Sequence, residues 1–144
     1  MKAYFLGKKQ TGSLAFQLEG HRYLYNQALA QRKELYQQTG KGIGYTDQAT
    51  ALLPKLRKEN HQLAFCNYSS LQQTLRRLDK AFKAFFARIK AGEKAGEPRF
   101  KSAERFNTIF YGVLGNGCEI KKDRLYLQNV GYLKLNGTGR WRVK

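Results

Sequence analysis

Between Ser69 and Lys90, Leu71, Leu75, Leu78, Phe82, Phe85 and Ile89 recur at alternating steps of four and three. That spacing lays six apolar side chains along one side of a helix, a face that needs a core to cover it. Gln72, Arg76, Lys80, Lys83 and Lys90 fall on one flank with no acid among them, and Arg77 and Arg88 on the other. Such a helix can rest on a core while presenting charge to a polyanion. Ser69 and Gln72 have the S-x-x-Q spacing of a capping box, which predicts where the helix starts. The glycines and proline of AGEKAGEPRF (91–100) end it and open an extended basic segment.

The charge balance says what the flanks are for. The 144 residues carry 27 Lys and Arg against 10 Asp and Glu, a net charge of +17. An excess of that size makes the compact state repel itself unless an anion binds, and nucleic acid is the commonest such partner. A solvated cationic surface or an anionic membrane are the alternatives. Interleaving of the basic residues with Tyr, Phe and Gln, which can stack on or hydrogen-bond to bases, favours nucleic acid. No long apolar run and no signal-peptide pattern occur, so a cytoplasmic chain without a membrane partner is expected. Cys66 and Cys118 form no C-x-x-C pair and are expected as packed thiols.

Taken in order, Met1 to Thr11 offers one edge strand around Ala3-Tyr4-Phe5-Leu6. Leu14, Leu18, His21, Tyr25, Leu29 and Tyr36 predict a long helix from about Ser13 to Gln38, with Thr11 or Ser13 as cap and Gly40 beyond its end. His21 lies on its apolar stripe as a core residue, while Arg22, Arg32 and Lys33 are expected to project. Gly20 weakens this helix by roughly 1 kcal/mol relative to alanine, so its first turns are expected bent or separate. The glycine-rich loop Gly40–Tyr45 lacks the ending of a phosphate-binding loop. A second helix is expected from Thr46 or Asp47 through Leu52, Leu53 and Leu56, kinked or divided by Pro54. Past Lys101, the runs Ile109–Tyr111, Cys118–Ile120, Leu125–Leu127 and Tyr132–Leu135 predict short antiparallel strands with turns at Gly115-Asn116-Gly117 and Lys122-Asp123. A glycine-rich basic tail follows.

Catalysis finds no foothold in this pattern. Asp47, Asp79 and Asp123 are the only aspartates, and none has a carboxylate neighbour at ligand-like spacing. Two histidines and two cysteines show no nucleophile motif. No catalytic residue and no metal ligand is expected here.

The spaced blocks Arg22-Tyr23-Leu24-Tyr25-Asn26-x-Ala28-Leu29, Leu71-Gln72-Gln73, Leu78-Asp79-Lys80-Ala81-Phe82, Gly96-x-Pro98-Arg99-Phe100-Lys101 and Asp123-Arg124-Leu125-Tyr126-Leu127 resemble, in order, the N-terminal part of TnpB (OrfB) proteins. These are transposon-encoded, RNA-guided DNA nucleases. The resemblance covers roughly 20–135 and implies a helical recognition lobe and a wedge domain that hold a guide RNA and read a short motif beside the DNA target. It places motif reading on Tyr45, Gln72 and Tyr111, with Tyr68 where some members carry a lysine. Arg76, Lys80, Lys83, Arg88, Arg99, Lys101 and Arg105 would then contact phosphates, setting register without carrying sequence information. Gln72 has the capping box as an alternative role, and Tyr45 ordinary packing.

The expectation is an α+β chain: about three helices packed with a small antiparallel sheet akin to the family's wedge barrel. Residues 1–12 would be a degenerate first wedge strand, 13–101 the recognition lobe, and 102–144 the sheet and tail. The family's RuvC-like nuclease domain and zinc element, with their divalent metal and Zn, are expected to be absent from this chain. Guide RNA and target DNA are the partners implied. A stand-alone regulator that never cuts, or a truncated relic, remain the alternatives.

Overall fold

The computed structural model describes the backbone of residues 8–134 and side chains from residue 12. The expected first strand at Ala3–Leu6, Leu135 and the basic tail lie outside the described residues. Five α-helices and a π-helical turn precede three strands: α1 (Lys8–Thr39), α2 (Tyr45–Asp47), the π turn (Gln48–Leu52), α3 (Leu53–Glu59), α4 (His61–Phe65), α5 (Tyr68–Lys90), β1 (Cys118–Lys121), β2 (Arg124–Leu127) and β3 (Gly131–Lys134). The α+β class is as the sequence indicates.

Helix α1 starts earlier than its expected caps, so Thr11 and Ser13 lie inside it. It passes through Gly20 without interruption. A Cβ there would sit 3.0 Å from Cys66 Sγ and 3.2 Å from the Gln62 carbonyl, so the glycine serves close approach of α4 and not a bend. Leu24, Tyr25, Ala28 and Leu29 form its apolar stripe. Gln17, His21 and Arg32 are buried in the same row, whereas Tyr36 is exposed. The Gly40 N–H closes the helix on the Tyr36 carbonyl at 2.8 Å, with the positive φ of 68° that glycine adopts without strain.

The chain then descends antiparallel to α1. In the π turn the Leu53 N–H bonds the Gln48 carbonyl five residues back. This wide turn ends just before Pro54, which lacks the N–H for the next regular bond, and so the expected division of the helix takes this form. Asn60 caps α4, its Oδ1 accepting from the Gln62 N–H at 2.8 Å. Helix α5 begins two residues earlier than the S-x-x-Q signal says. Its cap is Asn67, whose Oδ1 accepts from the Ser70 N–H at 2.8 Å. The Ser70 hydroxyl lies 2.7 Å from His21 Nε2.

Helices α1 and α5 run parallel, as shown by His21 meeting Ser70 and Arg32 meeting Asp79. Leu71, Leu75 and Leu78 are buried against α1; the stripe opens toward its C-terminal end, where Phe86 and Ile89 are about half exposed. After Lys90 the chain turns back along the α1–α5 seam. Lys101 is held by its backbone, donating to Asn26 Oδ1 at 2.8 Å and accepting from Arg22 and Asn26 at 3.1 and 3.0 Å. Phe106 is buried between Tyr25 and the Arg77 guanidinium.

The expected strand at Ile109–Tyr111 is instead part of this return segment and joins no ladder. The sheet is an antiparallel meander in the order β1-β2-β3. Lys121 pairs Arg124 across the expected Lys122-Asp123 turn. The three strands form no closed barrel among the described residues. Cys118, Leu125, Leu127 and Leu133 make a second small core with Leu14 and Tyr111. The sheet docks on the bundle through Asn67 Nδ2, which donates to Asn116 Oδ1 and Gln128 Oε1 at 3.1 and 2.8 Å. Gln17 Nε2 adds a bond to the Gln128 carbonyl at 2.9 Å.

Candidate nucleic-acid interface

Tyr68, Gln72, Arg76 and Lys80 follow one another at steps of four and so form a row along one flank of α5, about 18 Å long. Two neighbouring elements reach that flank. Tyr45, at the start of α2, lies beneath Arg76, whose Cζ is 4.2 Å from the ring centroid. Arg57 of α3 sits 4.9 Å over the Tyr68 ring. Guanidinium on aromatic ring gives a flat, charged surface at each place. Between them the Gln72 amide has no hydrogen-bond partner among the described residues. With Asn67 as the cap, Gln72 has no capping duty.

A groove of about 560 Å³ lies alongside, lined by Gly44, Tyr45, Asp47, Arg76, Asp79 and Lys80, with Lys83 at its rim. Asp79 is its acidic floor, bonded at 3.0 Å by both Arg32 and Lys83. Burial pushes the Asp79 carboxyl upward, but hydrogen bonds and charge from Lys83 and Arg32 outweigh it and leave the group below its ordinary range. Lys83 is therefore tied to an acid despite its exposure. Arg76 and Lys80 have no acidic partner among the described residues.

Arg32, expected to project, is 7% exposed and meets the groove only through its bond to Asp79. Its Nε donates to Gln48 Oε1 at 2.9 Å, and its Cζ lies 5.0 Å over Phe82. Gln48 in turn donates to the Ala28 carbonyl at 2.8 Å. This buried chain fixes α2 and the π turn, and with them Tyr45, against α1 and α5. The missed signal was position: Arg32 continues the spacing of Tyr25, Ala28 and Leu29.

The remaining expected site residues are distributed differently. Tyr111 is not brought to the groove. It packs on the sheet core with its hydroxyl 3.5 Å from Gln17 Oε1, and burial pushes its phenol up to about 12. Arg99 and Arg105 are exposed on the return segment and Lys101 is half-buried there, on another flank from Tyr45. Arg88 is exposed near the end of α5.

Among the described residues no three His, Cys, Asp or Glu side chains gather closely enough to hold an ion. Both cysteines are free and buried. Burial raises the Cys66 thiol to about 12 and also raises Cys118, which disfavours the thiolate that zinc needs. The residues present do not fit the zinc or divalent-metal centres that the resemblance associates with cleavage. No described helix is long and apolar enough to cross a membrane.

Residues 8–41 match the helix-turn-helix domain of OrfB proteins of the IS605 type. In this chain the matched stretch is one unbroken helix and the loop after it. The class thus indicated is the OrfB (TnpB) family of insertion-sequence proteins, to which the chain is similar in the region matched. Among individual proteins it is 30% identical over 114 residues, 78% of its length, to InsQ of Escherichia coli (strain K12), a protein provisionally named an RNA-guided DNA endonuclease. The chain spans 27% of that relative.

Proposed function

We propose that this chain binds guide RNA and target DNA as the N-terminal part of a TnpB-like, RNA-guided endonuclease associated with an insertion sequence, and that the α5 flank is its contact surface. The observation that carries the proposal is the row Tyr68, Gln72, Arg76 and Lys80, with Tyr45 stacked beneath Arg76 and the Gln72 amide unpartnered among the described residues. A glutamine so placed can bond N6 and N7 on one edge of an adenine, and Arg76 and Lys80 can take the phosphates on either side. At 3.4 Å per step, an 18 Å row covers about five base pairs. Phosphate contact by Arg99, Lys101 and Arg105 would extend the footprint onto the return segment. On this reading the region binds, and cleavage belongs to another part of such proteins.

The test has two parts. RNA copurifying with the tagged protein from its host should be dominated by one structured species, and Arg76→Glu with Lys80→Glu should release it. With duplex DNA, the same pair should reduce the slope of log K against log salt by about 2. Bulk ribosomal and transfer RNA alone, or an unchanged slope, would overturn the proposal.

A further inference from the structure

Past Leu78 the apolar side of α5 is no longer sealed. Phe82, Phe85, Phe86 and Ile89 line a second groove, of about 510 Å³, together with Tyr36 of α1 and Ile43 of the loop that follows it. Tyr36 is 60% exposed, Phe86 52% and Ile89 49%. Phe86 is held in place all the same: its ring stacks on Phe82 at 6.3 Å between centroids and tilts against Phe85 at 5.2 Å. Side chains fixed beforehand lose little freedom when a partner lands on them. Contiguous exposed apolar surface with a polar border marks a docking site.

The border is cationic. Lys33 lines the groove, its Nζ 5.1 Å from the Phe100 ring centroid. Arg88 and Lys90 flank Ile89 in the last turn of α5, both exposed. None of these three has an acidic partner among the described residues. The one acid that lines the groove, Glu97, is exposed on the return segment.

From Phe82 to Ile89 the helix rises about 10.5 Å, the same as between anchors i and i+7 of an amphipathic helix laid into a groove. Charge chooses among such helices. A second copy of this chain would bring two borders of one sign together on molecules of +17 each. The chain's own ends offer no complement, because residues 1–7 and 135–144 contain neither Asp nor Glu. A bilayer is entered by apolar side chains that protrude, and this surface is recessed.

We infer that the groove between Tyr36 and the C-terminal half of α5 docks an acidic amphipathic helix of a second, different protein, with apolar anchors on Phe82, Phe86 and Ile89 and carboxylates on Lys33, Arg88 and Lys90. The site does not depend on what the Tyr68–Lys80 row binds.

The first experiment places the photocrosslinker p-benzoylphenylalanine in the full chain in place of Phe86 and irradiates host cells. The expected adduct is a peptide of another protein whose apolar residues recur at i, i+3 or i+4 and i+7 and whose flanks carry Asp or Glu. Adducts confined to nucleic acid, lipid or a second copy of this chain overturn the inference, as does the absence of any adduct. The second uses anisotropy with a labelled helical peptide of about 18 residues, leucine on one face and glutamate on both flanks, and a counterpart with lysine at every glutamate. The chain should bind the glutamate peptide at least about tenfold more tightly than the lysine peptide. Phe86→Ala/Ile89→Ala, at two exposed positions where alanine favours the helix, should weaken that binding at least about tenfold. Phe86→Leu/Ile89→Leu should retain it, and Arg88→Glu/Lys90→Glu should narrow the preference between the two peptides. Equal affinity for both peptides, or unchanged affinity in the Ala pair, overturns the inference. The Ala pair should leave duplex DNA affinity unchanged; a parallel loss of DNA binding would make the groove part of a nucleic-acid surface and overturn it as well.

Discussion

Gly117→Ala should destabilise the protein mainly through a residue fifty positions away. Gly117 has φ of 80°, where alanine costs about 1–2 kcal/mol. Its new Cβ would lie 2.6 Å from Asn67 Cγ and closer still to Asn67 Nδ2, so Asn67 must leave its place. Asn67 caps α5 and bonds both Asn116 and Gln128. Loss of the cap alone costs about 1 kcal/mol, and the unmade side-chain bonds bring the total for Gly117→Ala to about 2–4 kcal/mol. In an Asn67→Ala background the clash is gone except for a 3.2 Å contact with the residual Cβ, and only the backbone strain remains. The double variant should therefore be more stable than the sum of the singles predicts, by about 1–2 kcal/mol. Urea unfolding of the four proteins, followed by far-ultraviolet circular dichroism, measures this directly. Additivity within about 0.5 kcal/mol would show that Gly117 and Asn67 are not packed as described.

Burial lowers the pKa of His21, and its neutral ring fits the site, with Nδ1–H donating to the Gln17 carbonyl at 2.6 Å. The unfolded chain takes up that proton first, so stability should be complete above about pH 6.5 and fall as pH drops toward the folded pKa; His21→Gln should flatten that limb of a urea-midpoint profile. Asp79→Asn leaves the buried Arg32 guanidinium without its carboxylate and should cost about 3 kcal/mol in urea unfolding, less when Arg32→Leu is added. It should also remove the stability that Asp79's lowered pKa supplies above about pH 3.9 and that is lost on further acidification. With Cys66 raised to about 12 and Cys118 also raised, neither thiol should be alkylated at pH 8 in the native protein, and both should react in denaturant, as read by mass shift.

The apolar stripe of α5 was legible because its spacing holds for five turns, and the groove beside it follows from the same wheel. Its start was misjudged by two residues because Ser69 and Asn67 both offer oxygen acceptors; which of them caps is decided by Asn116 and Gln128, far along the chain. Arg32 was hidden by its charge, since a cation on a stripe reads as surface until its buried acid is known. The aromatic run Ile109–Tyr111 looks like a strand by composition, but its Tyr111 packs on the sheet core beside Gln17 of α1, which no local pattern reveals. Nor does any local pattern show that α1 and α5 run parallel.

That parallel pairing bears on how the chain is made. Helix α5 has its Leu71, Leu75 and Leu78 partners on α1 as soon as it leaves the ribosome, yet the side chains that hold Asn67 in place belong to Asn116 and Gln128. At 5–20 residues per second, translation from Lys90 to Phe106 takes roughly 1–3 s. Throughout that interval the seam that Phe106 later fills stands open to water and to chaperones. A pause in decoding within 91–106 would lengthen the exposure of the nascent bundle without changing a single residue of the finished protein.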